Sequence, residues 1–342
     1  MTREEGISRV YQGPGHVVIL GAGASIASTL RDPEPSGKSL PSMDDFIDVL
    51  HLGDLVSSFD READGNFEAV YSRIHESDPE SPVLGEIEAR VSEYFRGMGL
   101  PPTPTVYDYL MCSLRPKDLI ATYNWDPFLF QAFCRNRRVG GLPHLSFLHG
   151  SVAVGYSLDE HKAGPSGAFA DPACAHEFAP TRLLYPVKQK DYNVDEFTRH
   201  EWERLKYWLK NSKRITVFGY GAPDTDVEAV ALMSAAWGTP AERNLEQTEI
   251  IDVQPESILT TRWAPFIHSH HYDCVADYFQ SSLSQFPRRT GERFMHQYLP
   301  SSEAEAFQEP NPVPQDFSTL DALWEWHAPL VCAEKIFEDG AL

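Results

Sequence analysis

The stretch His16-Val-Val-Ile-Leu20 runs directly into Gly21-Ala-Gly-Ala-Ser25 and then into Ile26-Ala-Ser-Thr-Leu30. A short, continuous apolar run suits a strand buried on both faces, as in a parallel sheet. Glycines immediately after it allow a tight turn, and the residues behind them can open a helix. A strand buried on both faces needs helices on both sides and further parallel strands beside it. That requirement excludes most folds before any other residue is read.

The rest of the chain supplies the missing parts. Leu119-Ile-Ala-Thr-Tyr123, Leu145 to Leu148, Arg214-Ile-Thr-Val-Phe218 and Glu249-Ile-Ile-Asp-Val253 read as further strands. Helical spacing follows most of them, strongest over 193–211 with Phe197, Trp202, Leu205, Trp208 and Leu209 on one side. Asp126 to Cys134 and Asp224 to Ala236 are also helix-like. Alternating strands and helices predict an α/β fold, a Rossmann-like doubly wound parallel sheet. Between the first two strands, residues of about 42–115 show only helical spacing, from a helix capped by Ser42 to one over Thr105–Leu114, and read as a helical insertion. Val152 to Tyr156 is a further short strand. Residues 157–180, rich in Gly, Pro, Ala and Asp, read as a long loop or mobile cover. The expected organisation is a catalytic domain over 1–288 and a C-terminal extension over 289–342, with a polar linker at 299–318 and a terminal helix at 318–337.

Charge and cysteine usage narrow the function. The chain of 342 residues carries a formal charge of −21, which disfavours nucleic acid or anionic lipid over most of its surface. No membrane is expected as a partner, and no direct nucleic-acid binding. There is no apolar run of membrane-spanning length and no apolar stretch of a secretory signal, so a cytoplasmic location is expected. The five cysteines, Cys112, Cys134, Cys174, Cys274 and Cys332, form no CxxC pair, so no zinc ribbon and no metal is expected. His268, His270 and His271 cluster, and strand alternation would put the first two on one face; without a carboxylate or HxxxH nearby this is a poor metal site.

The chemistry-bearing residues sit just past predicted strands, where open α/β sheets bind ligands. Gly21-Ala-Gly-Ala-Ser25 suits phosphate at a helix N-terminus, although Ile26 breaks the G-x-G-x-x-G pattern, and a ligand-free turn is an equal reading. In Thr122-Tyr-Asn-Trp-Asp126 the Asn and Asp can project to one side, or Asp126 can merely cap the next helix with Pro127 at its first position. In Leu148-His149-Gly150 the imidazole can serve as a general base or be structural. Phe218-Gly-Tyr-Gly-Ala-Pro-Asp224 and Ile250-Ile-Asp-Val-Gln-Pro255 are two more strand-end turns.

Taken in order, these five segments resemble the sirtuin-like family, and within it the bacterial branch of NAD-consuming antiphage effectors. The resemblance spans residues 16 to about 285, and Pro41-Ser-Met-Asp-Asp-Phe46 and Leu184-Tyr-Pro-Val187 also look like segments of that branch. It implies that Gly21, Ala22, Gly23 and Ser25 form the diphosphate turn. Asn124 then lies beside the nicotinamide ribose and Asp126 near the carboxamide. His149 becomes the catalytic histidine, Gly219 and Asp224 the second nucleotide turn, and Asp252 and Gln254 the adenosine side. Two departures stand out: Gly221 replaces a serine of the family's GYS, and aromatic Tyr123 and Trp125 flank Asn124. The cysteine-built zinc module of the classical deacylases has no counterpart.

What the resemblance implies is an NAD+ glycohydrolase, with NAD as substrate and no metal, that depletes NAD+ in antiphage defence. The alternatives are an NAD-dependent protein deacylase and a non-catalytic subunit that senses NAD or ADP-ribose. Restraint of so toxic an activity implies a homo-oligomer or a partner subunit, an ATPase or another sensor. The aromatic extension, with Leu320, Leu323, Trp324 and Trp326, either forms such an interface or packs on its own domain.

Overall fold

The computed structural model describes residues 3–32, 36–56, 66–171, 174–187, 190–243, 245–268, 270–298, 307 and 309–340. Its centre is a six-stranded parallel sheet of β1 (His16–Leu20), β2 (Leu119–Thr122), β3 (His144–Phe147), β9 (Arg214–Phe218), β10 (Gln247–Ile251) and β11 (Tyr272–Val275). Between β3 and β9 lie β4 (Val154–Ser157), β5 (Lys162–Pro165), β6 (Phe169–Asp171), β7 (Cys174–Glu177) and β8 (Ala179–Pro180). The main sheet runs β11-β10-β9-β1-β2-β3. Counting only its own strands, that is the 3-2-1-4-5-6 order of a Rossmann-like doubly wound sheet. The order reverses between β1 and β9, and the ends of these two strands open a crevice.

The period-2 alternation of β1 explains why helices cover both faces. Val18 and Leu20 pack with Ile120, Phe46, Phe67 and Phe95 on one side. Val17 and Ile19 pack with Leu119, Leu205, Leu209, Trp237 and Trp263 on the other. The first side is covered by the helices Phe46–Val49, Phe67–Ser77, Pro82–Arg96 and Val106–Ser113. The helix expected from Ser42 begins later: Asp45 accepts from the Ser42 N–H and hydroxyl, and only Phe46–Val49 coils. The other side carries the helices Glu196–Asn211 and Val227–Trp237.

Residues 157–180 are not the loop that their composition suggests. β4 pairs antiparallel with β5 and with β8, and β6 pairs with β7, so the Gly- and Pro-rich sequence folds as short hairpins. Gly155 and Gly164 are needed there because a Cβ at either would strike Phe178, at 2.4 and 2.3 Å. Cys174 is in β7, and residues 172–173 lie outside the described residues. The histidine cluster is not in a strand either; β11 begins at Tyr272, and His268 Nε2 pairs with the Gly238 carbonyl at 3.0 Å.

The C-terminal region departs from the expected linker. Thr290–Tyr298 is helical. Residues 299–306 and 308 of the expected linker lie outside the described residues. Beyond them the chain is pinned to the core: the Asn311 and Val313 N–H groups donate to the Gln285 and Ser284 carbonyls, and Phe317 stacks near Tyr109. The helix Leu320–Glu338 buries Leu323, His327, Leu330 and Val331. Trp324 and Trp326 pack against the same core, with the Trp324 indole donating to Asn136 Oδ1 at 2.6 Å and Arg138 over its ring. The aromatics therefore serve this chain's own packing. Glu334 anchors the helix through Arg288 and Arg289, both at 2.5 Å and buried. Among the described residues no helix is long and apolar enough to cross a membrane.

Candidate functional site

At the point where the strand order reverses, two glycine turns meet. The Gly21 N–H donates to the Phe218 carbonyl at 3.1 Å and the Gly23 N–H to the Gly219 carbonyl at 2.9 Å. This contact leaves no room for side chains. A Cβ on Gly21 would lie 2.5 Å from Tyr220 Cα, and one on Gly219, which sits at φ +59°, would lie 2.4 Å from the Ala24 nitrogen. The glycines thus bring the N-terminus of the helix Ala22–Thr29 against the β9 turn, with β1 and β9 in register below. Gly221 carries no such demand; its surroundings are open.

Two cavities flank this junction. One, of about 330 Å³, is lined by Gly21, Ala22, Ser25, Asn124, Asp126, His149 and Gly219, with Phe46, Lys190 and Asp226. Most of the residues singled out in the sequence converge here, from four separate strand ends. Pro41, Met43, Leu184 and Pro186 belong to the same wall. The second cavity, of about 450 Å³, is lined by Gly23, Gly219 and Asp252, with Tyr109 and Gln315. Gln254 lines neither; it is exposed, and its N–H donates to Asp252 Oδ1. Asp224 starts the single turn Asp224–Asp226, and its side chain is outside the described residues.

Asn124 and Asp126 do project to one side, and Ser25 is where they meet. Ser25 Oγ donates to Asp126 Oδ2 at 2.6 Å and accepts from Asn124 Nδ2 at 2.8 Å; Tyr107 Oη lies 2.7 Å away. Since the one hydroxyl hydrogen of Ser25 goes to the carboxylate, Tyr107 must donate to Ser25. Asn124 Nδ2 also reaches the Gly21 carbonyl at 2.8 Å, tying β2 to the glycine turn. Pro127 is the N-cap of the helix Phe128–Asn136 rather than its first residue, and Asp126, just before it, accepts from the Phe128 N–H at 3.0 Å. One carboxylate thus serves both, Oδ1 toward the helix and Oδ2 toward Ser25. Burial pushes the Asp126 carboxyl up to about 6 against the hydrogen bonds from Ser25 and Phe128.

His149 follows β3, held by the left-handed Gly150 at φ +74°, where a Cβ would lie 2.1 Å from the Arg182 carbonyl. Tyr123 meets its ring edge-on at 4.7 Å, and Tyr123 in turn stacks on Tyr220 at 4.1 Å. Burial pushes the imidazole down to about 3; Asp226 opposes this and Lys190 adds to it. His149 is therefore neutral at neutral pH, with a free lone pair, but a weak base in this arrangement. Its Nε2 is buried with no hydrogen-bond partner among the described residues, 3.9 Å from Asp226 Oδ1.

Sequence reasoning missed Asp226, Lys190 and Tyr107. Asp226 was within reach, two residues beyond the motif acid Asp224 in Pro223-Asp-Thr-Asp226. Lys190 and Tyr107 carried no local signal. Among the described residues no three His, Cys, Asp or Glu side chains are grouped to hold a metal ion.

A crevice at a topological switch point, walled by a glycine turn and a helix N-terminus, is the ligand site of an open doubly wound α/β protein. No family model matches the chain, and no curated protein does. Among solved structures, it is similar to a mutant Sir2 homologue in complex with ADP ribose, covering 74% of this chain and 86% of that one at 14% identity and a TM-score of 0.37. It is similar also to a Sir2 homolog–NAD complex, covering 86% of this chain and 93% of that one at 13% identity and a TM-score of 0.37. Both likenesses are distant.

Proposed function

We propose that the chain is an NAD+ glycohydrolase that splits NAD+ and water into nicotinamide, ADP-ribose and a proton. The observation that carries this reading is His149. A buried, uncharged imidazole lines a cavity beside the crossed glycine turns, together with Asn124 and Asp126. In this reading the glycine turn and the N-terminus of the helix behind it hold the diphosphate. Asn124 holds the ribose and the attacking water, and Asp126 orients the carboxamide. The adenosine half lies toward the second cavity, by Asp252.

The chemistry asks little acid catalysis of the protein. As the C1′–N bond breaks, nicotinamide leaves neutral and positive charge builds on the ribose. The water oxygen bonds to C1′ while His149 takes its proton. A carboxylate at Asp126, ionised above its raised midpoint, stabilises the developing charge. Depletion of NAD+ in antiphage defence, a cytoplasmic location, and control by a homo-oligomer or by an ATPase or other sensor subunit belong to the same proposal.

The test is nicotinamide release from NAD+, followed by chromatography with and without an acetylated peptide. Release without peptide, lost in His149→Ala and Asn124→Ala, is expected. Release only with peptide would replace hydrolysis by acyl transfer, and binding without release would make the chain a sensor.

A further inference from the structure

His149 Nε2 is out of water and has no hydrogen-bond partner among the described residues. Native proteins rarely leave a buried polar atom in that state, and where they do it calls for a reason. The nearest acid is Asp226, with Oδ1 3.9 Å from Nε2, about an ångström beyond a hydrogen bond. That same Oδ1 is bound by Lys190, buried beside it, whose Nζ also donates to the Thr225 carbonyl at 3.1 Å. The other carboxylate oxygen accepts from the Tyr220 hydroxyl at 2.7 Å. The oxygen that faces the imidazole is therefore the one the lysine occupies.

We propose that Asp226 is the positioning carboxylate of His149 and that Lys190 is the latch that keeps the two apart. With Lys190 withdrawn, rotation of the Asp226 carboxylate closes the gap to Nε2. The imidazole then has a fixed tautomer, with its proton on Nε2 and its other nitrogen left to accept. The positive charge it gains on taking a proton is held by the carboxylate. This is how an acid–imidazole pair works in general base catalysis. Asp226 touches neither substrate nor reacting atoms in this scheme; it acts through His149.

The surroundings allow the lysine to move. Lys190 lines the His149 cavity and also a third cavity of about 240 Å³, which carries Glu88 and Asp191. Leu184 stands between the two spaces in the same way. Two acids line the third cavity: Glu88, whose Oε1 accepts from the Tyr71 hydroxyl at 2.6 Å, and Asp191, whose Oδ1 accepts from the Asn193 N–H at 2.8 Å. The Asp226 carboxyl is poised for either partner: burial alone would raise it, but the charge of a protonated His149, then the charge and hydrogen bond of Lys190 and the Tyr220 hydroxyl, hold it below the usual range. Among the described residues the remaining titratable neighbours of the imidazole are phenols. Tyr123 meets it edge-on and Tyr192 stacks at 6.3 Å, both with their hydroxyls pushed up by burial and uncharged. Among the described residues Asp226 and Lys190 are then the two charges that act on it, beside the burial that lowers it most.

The reaction served rests on the hydrolase reading, but the coupling of the three side chains does not. It is read without NAD+, by NMR titration of imidazole resonances, with His149 assigned through loss of its signal in His149→Gln. Lys190→Met should raise the His149 midpoint by more than one pH unit, and Lys190→Arg should leave it low. In Lys190→Met/Asp226→Asn the gain should vanish, because the carboxylate that produces it is gone. An unmoved midpoint in Lys190→Met, or a gain that persists in the double variant, would overturn the proposal. On NAD+, Lys190→Met should shift the pH profile of kcat in the same direction as the midpoint, with KM little changed. If the midpoint moves as stated while no variant releases nicotinamide, the latch stands and the hydrolase reading falls.

Discussion

Replacing Asp126 by Asn should stabilise the protein at neutral pH while disabling its site. Asp126 is buried, and its carboxyl is raised from the usual 3.8 to about 6, chiefly by burial. The folded state therefore binds the proton more tightly than the unfolded chain between these values. Stability from this group is fully present below the unfolded value and lost as pH rises through the folded one. The whole loss is about 3 kcal/mol at 1.36 kcal/mol per pH unit, of which about 1.4 kcal/mol falls between pH 5 and pH 7.5. Asparagine does not titrate, so the variant escapes that loss. It incurs a fixed one, since Ser25 gives its hydrogen to Asp126 Oδ2 and an amide NH2 there cannot accept it; that costs about 1 kcal/mol. The fixed term cancels when the two proteins are compared at two pH values. Urea unfolding at pH 5 and pH 7.5 should show the variant gaining on the wild type by about 1.4 kcal/mol. A difference that stays constant with pH, or narrows, would refute the assignment of a raised, buried carboxyl.

His149 predicts the opposite slope. Its imidazole is held neutral to about 3, whereas the unfolded chain protonates near 6.5, so acid favours unfolding as pH falls below 6.5. His149→Gln should remove about 2 kcal/mol of acid lability between pH 7.5 and pH 5, read by the same urea curves. His149→Ala should lower NAD+ cleavage by about 10²–10⁴ with a normal melting curve; near wild-type turnover would withdraw its role as base. Gly219→Ala should destabilise by about 2 kcal/mol or more, because φ +59° is strained for any L side chain and the added Cβ meets the Ala24 backbone, whereas Gly221→Ser should stay within about 0.5 kcal/mol of wild type. Glu334→Ala leaves Arg288 and Arg289 buried without their carboxylate and should cost about 3–5 kcal/mol, read as a lowered denaturant midpoint with the helix Leu320–Glu338 losing amide protection first.

The parallel sheet was legible because its signal is local. Four apolar residues and a histidine at His16–Leu20, buried on both faces, leave one architecture open, and the glycines behind them mark the turn that the architecture requires. The same holds for Asn124, Asp126 and His149: each sits immediately past a strand, so knowing the strands is enough to bring them to one edge. The hairpins within residues 157–180 were not legible, because their strands are two to four residues long and glycines there admit the close approach of Phe178 rather than a loop. The segment 309–317 looked like a linker because its ties to the core run largely through backbone atoms, which composition does not reveal.

Asp226 and Lys190 show where reading by motif stops. Asp224 occupies the matched position, and Asp226, two residues on, lines the cavity with His149. The single turn Asp224–Asp226 carries Asp226 inward, where it accepts from the Tyr220 hydroxyl. Spacing cannot supply that direction, since a one-turn helix has no periodic face to display. Lys190 is 36 residues from its partner and lies in a segment with no regular structure, so nothing in the sequence pairs them. The buried charge nonetheless has to be neutralised, and a lysine stem long enough to reach in from a flanking segment does it. A side chain recruited in this way is bound by charge rather than by packing. In the latch proposed above it leaves Asp226 only where another acid receives its charge, because a buried charge without a partner is strongly destabilising.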